Sequence, residues 1–140
     1  MSKETLRVFL DTNVCYDILS RREPFYVHSA KALSQILEKG YKVVISALTV
    51  VNLHYFLRKD FGDAEARKMV ISFKSFCEVE QVNNNLLDRS FASNMPDFED
   101  ALRHFIALES KCDLIFSRDK RGFKKSTIPV YSPEEYLENL

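Results

Sequence analysis

Leu6-Arg7-Val8-Phe9-Leu10-Asp11-Thr12-Asn13-Val14 is the stretch on which the reading of this chain turns. A short apolar run, Leu6 to Leu10, ends at an acid, and Thr12 to Ser20 then has the spacing of a short helix. A buried strand followed at once by a helix is the opening of a βα unit. The rest of the chain repeats the alternation. Phe25 to Lys39 carries Val27, Ala30, Leu33, Ile36 and Leu37 at helical intervals, and Gly40 stops it. Lys42 to Ile45 is a second strand-like run. Ser46 caps a helix from Ala47 to about Lys59, expected to turn Leu48, Val51, Tyr55 and Phe56 inward.

Gly62-Asp63 turns into a helix from Ala64 to Phe76, with Ala66, Met69, Val70 and Phe73 on one side. Cys77 to Val82 alternates as a strand does. Asn83-Asn84-Asn85 opens a helix through Phe91 that Met95-Pro96 ends. Asp97 opens another, with Phe98, Ala101, Leu102, Phe105 and Leu108 spaced by three or four and expected in the core. Asp113 to Ser117 and Ile128 to Tyr131 are strands. Ser132-Pro133-Glu134-Glu135 is a helix start with cap, early Pro and Glu at the third position. The order β-α-α-β-α-α-β-α-α-β-β-α predicts right-handed crossovers and a mostly parallel sheet of four or five strands, covered on both faces. The expected fold is a three-layer α/β/α sandwich.

With 140 residues, the chain is expected to form one domain over residues 1–140. Twenty basic and twenty acidic side chains exclude a globally basic nucleic-acid binder but allow local patches. Cys15, Cys77 and Cys112 are odd in number and widely spaced, which reads as reduced thiols in a cytoplasmic protein. Residues 1–7 show no leader-like apolar run, and no run approaches the ~20 residues of a membrane span.

Ligands of open α/β sheets bind beyond the carboxyl ends of strands. Asp11 follows the first strand, and Asp119 lies two residues after Ser117. Asp97 and Asp100 begin the helix before that last strand, and Asn52 lies two turns into the helix after the second. Clustered carboxylates repel, and a hard divalent cation, Mg2+ or Mn2+, answers that charge with oxygen ligands. It also lowers the pKa of bound water for phosphodiester hydrolysis. The plainer reading makes Asp97 and Asp11 helix caps, Asp100 a dipole partner, and Asp119 a loop residue paired with Arg118 or Lys120. Arg118, Lys120, Arg121, Lys124 and Lys125 surround Asp119, a local balance suited to RNA phosphates. Phosphate-cradling glycine loops and a GxSxG elbow are absent, and His28, His54 and His104 are scattered.

Phe9-Leu10-Asp11-Thr12-Asn13-Val14, Asp97-Phe98-Glu99-Asp100-Ala101, and Ser117-Arg118-Asp119 with Phe123 resemble, in order, three motifs of the PIN-domain nucleases. The closing stretch Ile128 to Leu137 is similar to the tail of many bacterial members. The resemblance implies Mg2+- or Mn2+-dependent RNA cleavage. It also implies a VapC-type toxin, neutralised by a cognate antitoxin and often a homodimer. Carried over by position, Asp11, Asp100 and Asp119 are the metal-binding, catalytic acids. Asp97 adds a ligand or holds a water, and Thr12, Asn13 and Ser117 orient the acids. Asn52 stands where the family usually has Glu, and Gly122 where it often has an acid. Both departures point to weaker metal binding, or to a non-catalytic RNA- or protein-binding module on the same fold. A haloacid-dehalogenase-like phosphatase also has an Asp after its first strand, but it needs an acid two residues on, where this chain has Asn13. Relief of repulsion among the acids predicts that Asp11→Asn abolishes cleavage and leaves thermal melting near or above wild type.

Overall fold

A computed structural model of the chain describes residues 5–139. The absence of a leader, read above from residues 1–7, falls partly on residues 1–4, outside the described residues, as does residue 140 of the expected domain. Twelve elements follow in the predicted order: β1 (Arg7–Leu10), α1 (Thr12–Ser20), α2 (Tyr26–Glu38), β2 (Lys42–Ser46), α3 (Ala47–Phe61), α4 (Asp63–Lys74), β3 (Cys77–Glu80), α5 (Asn84–Ala92), α6 (Phe98–Glu109), β4 (Leu114–Phe116), β5 (Val130–Tyr131) and α7 (Pro133–Glu138).

The five strands form one parallel sheet in the order β3-β2-β1-β4-β5. Strands added after β1 go first to one side and then to the other, so the strand order reverses between β1 and β4 while all strands stay parallel. That switch leaves a crevice at the carboxyl ends of these two strands.

Side chains alternate across the sheet because successive Cβ atoms of a strand point to opposite faces. Val8, Leu10, Val43, Ile45 and Phe116 join a core with α1, α2, α3 and α4. Phe9, Val44 and Ile115 join a second core with α5 and α6. Two cores back to back make the three layers expected from the sequence.

The faces of some helices differ from the expected ones. In α3 the buried stripe is Thr49, Leu53 and Leu57, while Val51, Tyr55 and Phe56 are exposed. Thr49 is tolerated inside because its hydroxyl bonds Thr12 Oγ1 at 2.8 Å and Ser46 Oγ at 3.2 Å. A reading that ranks aromatics above Thr rotates this helix the wrong way. In α2 the buried residues are Ser29, Ala32, Leu33 and Ile36, with Val27 and Leu37 exposed. Phe98 is exposed rather than in the core, its ring stacked on Phe91 at 4.0 Å between centroids.

Candidate functional site

Asp11 emerges from β1 with its backbone N–H bonded to the Phe116 carbonyl of β4, which pins it at the switch point. It is also the N-cap of α1: Oδ1 accepts from Thr12 N at 2.9 Å. The plain reading as a cap is therefore correct and does not exhaust its role. Its other oxygen, Oδ2, accepts from Ser117 Oγ at 2.7 Å and Asn13 Nδ2 at 3.2 Å. Asp11 is buried, so these donors replace the water it has lost.

Ser117 ties two acids together. Its hydroxyl donates to Asp11 and accepts from the Asp119 N–H at 2.9 Å. Asn13 Oδ1 accepts from Arg118 N at 3.2 Å, which fixes the turn that carries Asp119. Asp119 Oδ1 accepts from Gly122 N at 2.9 Å. Asp97 is the N-cap of α6, accepting from Asp100 N at 3.0 Å, and so orients the first turn that holds Asp100.

Three carboxylates, Asp11, Asp100 and Asp119, converge on one side chain that the sequence reading had not singled out. Arg103 Nη1 lies 2.5 Å from Asp11 Oδ2, and its Nη2 bonds both Asp100 Oδ1 and, at 3.0 Å, Asp119 Oδ2. The guanidinium rests over the buried ring of Phe123, 4.6 Å from its centroid. The available signal was its spacing from Asp100: residues three apart on a helix share a face. Burial pushes this guanidinium towards release of its proton, but the Asp11 charge and the hydrogen bonds to all three acids outweigh that and hold its pKa above the ordinary value. Burial likewise raises Asp119, yet the Gly122 N–H and Arg103 prevail and hold its carboxyl below the usual range.

Two cavities adjoin the three acids. One, of about 340 Å³, is lined by Asp97, Asp100, Asp119, Arg121, Lys124 and Lys125, among others. The other, of about 490 Å³, is lined by Asp11, Asn13, Tyr16, Asn52, Glu99 and Arg103, among others. Asn52 thus faces the same space as Asp11, and α6 adds Glu99, an acid the sequence reading passed over.

The basic loop divides. Arg121, Lys124 and Lys125 line the acidic cavity. Arg118 turns away: Nε donates to the buried Asp17 at 2.6 Å, Nη2 donates to it at 3.3 Å, and the guanidinium stacks on Phe25. Lys120 pairs with Glu135 at 3.1 Å and donates to the Val130 carbonyl. Arg118 and Lys120, expected to face RNA, each have an ion-pair partner within the chain, Asp17 on α1 and Glu135 on α7. Asp17, fully buried on α1, was missed because its partner lies 101 residues away. Thiol chemistry finds no support: burial pushes Cys77 and Cys112 up to about 12 and Cys15 well above the ordinary thiol value.

Whether these residues suit a divalent cation has two parts. The chemistry suits it: three carboxylates and an amide are hard oxygen donors. The arrangement as it stands does not. Among the described residues no group of three or more His, Cys, Asp or Glu is set to hold a metal, because the acids point at Arg103.

The sequence matches a family model described as the PIN domain over residues 7–121. Ribonuclease VapC1 of Aquifex aeolicus is 27% identical over 137 residues, with 94% of each chain covered. Among solved structures, Mycobacterium tuberculosis VapC20, a sarcin-ricin loop cleaving toxin, superposes with a TM-score of 0.69 at 14% identity, covering 84% of this chain and 94% of that one. A toxin–antitoxin complex from Klebsiella pneumoniae gives 0.66 at 20% identity, covering 90% and 97%.

Proposed function

This chain belongs to the PIN-domain family, and on that premise we propose that it is a divalent-cation-dependent ribonuclease acting as the toxin of a toxin–antitoxin pair. The observation that carries the reading is the meeting of Asp11, Asp100 and Asp119 at the switch between β1 and β4. Further support comes from the similarity, over nearly the whole chain, to a protein named a ribonuclease. The resemblance to chains solved in toxin–antitoxin complexes supports an antitoxin protein as partner.

Asp11, Asp100 and Asp119 would hold Mg2+ or Mn2+, with Asp97 and Asn52 beside them. When bound, such a cation supplies a water of lowered pKa and an answer to charge on the leaving oxygen. The remaining steps belong to the chain. Ser117 and Asn13 hold the Asp11 carboxylate in its aim by hydrogen bonds to Oδ2. Arg121, Lys124 and Lys125 meet the phosphates on either side of the scissile one. The Asp119 carboxyl, held below its ordinary range, stays ionised at neutral pH.

The alternative is a non-catalytic RNA- or protein-binding module. Asn52, neutral where the family usually has an acid, favours it, and so does the closure of the acids on Arg103. Cleavage of single-stranded RNA in Mg2+ or Mn2+, absent in EDTA and absent in Asp100→Ala, is the expected result for the nuclease. RNA retained uncut by the wild-type protein under all these conditions would assign the binding module.

A further inference from the structure

We propose that Arg103 is a positioning residue that closes the acid site against divalent cations, so that cation binding and release of this guanidinium are one event. The proposal rests on the nuclease reading above and adds to it a condition for loading.

The first observation is shared ligands. Arg103 Nη1 takes Asp11 Oδ2, and Nη2 takes one oxygen of Asp100 and one of Asp119. Asp11 Oδ2 already accepts from Asn13 and Ser117, so the guanidinium is its third donor. A hard cation needs those same lone pairs, at about 2.0–2.1 Å for Mg2+. With three donors Asp11 Oδ2 has no lone pair left, so a cation that takes this oxygen must displace one of them, and the guanidinium is the one that repels it.

The second observation is how Arg103 is anchored. Its Nε is buried and has no hydrogen-bond partner. The hydrogen bonds recorded for its side chain all end on the three acids. The ring of Phe123 supports the guanidinium from below without binding it in direction. A cation that takes the acids therefore removes every polar anchor of Arg103 at once. The cavity of about 490 Å³ that Arg103 lines gives the freed side chain space. Arg118, by contrast, uses Nε as well as Nη2 on the buried Asp17, outside the acid cluster, and nothing there competes with it.

The test uses the whole chain stripped with EDTA. Mn2+ is titrated into wild type, Arg103→Gln and Asp100→Asn, with free Mn2+ followed by its paramagnetic resonance signal. The expected result is that Arg103→Gln binds Mn2+ at least tenfold more tightly than wild type and that Asp100→Asn weakens binding. Equal or weaker binding by Arg103→Gln overturns the proposal, as does no binding by either protein. A second measurement needs no substitution and covers the case in which Arg103→Gln does not fold. Side-chain nitrogen resonances of wild type are followed during Mg2+ addition. The Arg103 signals should move while those of Arg118 stay; Arg103 signals that remain in place throughout overturn the proposal. RNA cleavage in the same samples separates the two readings. Tightened Mn2+ binding without cleavage retains the Arg103 closure and removes the nuclease. Cleavage with unchanged Mn2+ affinity does the reverse.

Discussion

Two arginines reach buried aspartates in this molecule, and the stoichiometry around them differs. Arg118 meets Asp17 alone, through two nitrogens, beneath the Phe25 ring. One positive charge answers one negative charge, and the pair welds the loop after β4 to α1. Arg103 meets Asp11, Asp100 and Asp119. One positive charge faces three negative ones, so ionised acids leave an excess of two. A matched buried pair is a fastening; a mismatched one is an anionic site awaiting more positive charge. Residues of the same type thus differ in role through the number of carboxylates that the fold gathers around each.

The contrast can be broken most severely at the matched pair. Arg118→Met leaves Asp17 buried without its cation, which is expected to cost about 3–5 kcal/mol. Thermal melting should fall by on the order of 10 °C or more, and Mg2+ should not restore it. A loss below about 1 kcal/mol would remove the distinction drawn here. Asp11→Asn comes next. It should abolish RNA cleavage and lower stability by roughly 1.5–3 kcal/mol, the usual value of hydrogen bonds to a charged group. This revises the expectation from repulsion alone, because Arg103, Ser117, Asn13 and the Thr12 N–H all donate to the Asp11 carboxylate. Wild-type melting in this variant would return the advantage to the repulsion argument.

Smaller effects sharpen the comparison. Mg2+ should raise the melting temperature of Arg103→Gln more than that of wild type. Saturation at a hundred times Kd corresponds to about 2.7 kcal/mol. The same addition should raise Arg118→Met only as much as wild type, leaving the deficit between the two unchanged. In EDTA, the Asp119 contribution has a defined sign. Its folded pKa is depressed, so the stabilisation is present above the unfolded carboxylate value and is lost as pH falls through the lower folded one. Arg103→Gln should therefore begin its acid unfolding at higher pH, whereas Arg118→Met should keep the Asp119 depression; urea melts across the acid range measure both. Last, Lys124→Ala and Lys125→Ala should each reduce the slope of log binding constant against log salt by about 0.7 for single-stranded RNA. Lys120→Ala should leave that slope unchanged, since Lys120 pairs with Glu135.

The element order was readable because its signals are local. Ser46, Asn83, Asp97 and Ser132 each cap the helix that their sequence context announces. The alternation in Val8-Phe9-Leu10 needs only the strand period to place its residues in opposite cores. The α3 face was not readable, because Thr49 is buried only by virtue of Thr12 and Ser46 beside it. Neighbouring charges of the basic loop were not separable either: Arg118 and Arg121 look alike in sequence, and only the turn between them sends one to Asp17 and the other to the cavity.

The amino-acid order by itself determined the twelve elements, the parallel sheet and the presence of acids after β1 and β4, since each follows from periodicity, capping and the rule that crossovers are right-handed. What only the tertiary structure decided is the counter-charge. Arg103 lies 92 residues from Asp11 and 16 from Asp119, and no spacing rule links residues so far apart. Coulomb attraction acts over ångströms in space and is blind to separation along the chain. The packing of α6 against the sheet therefore had to bring that guanidinium to the acids before its part in the site existed.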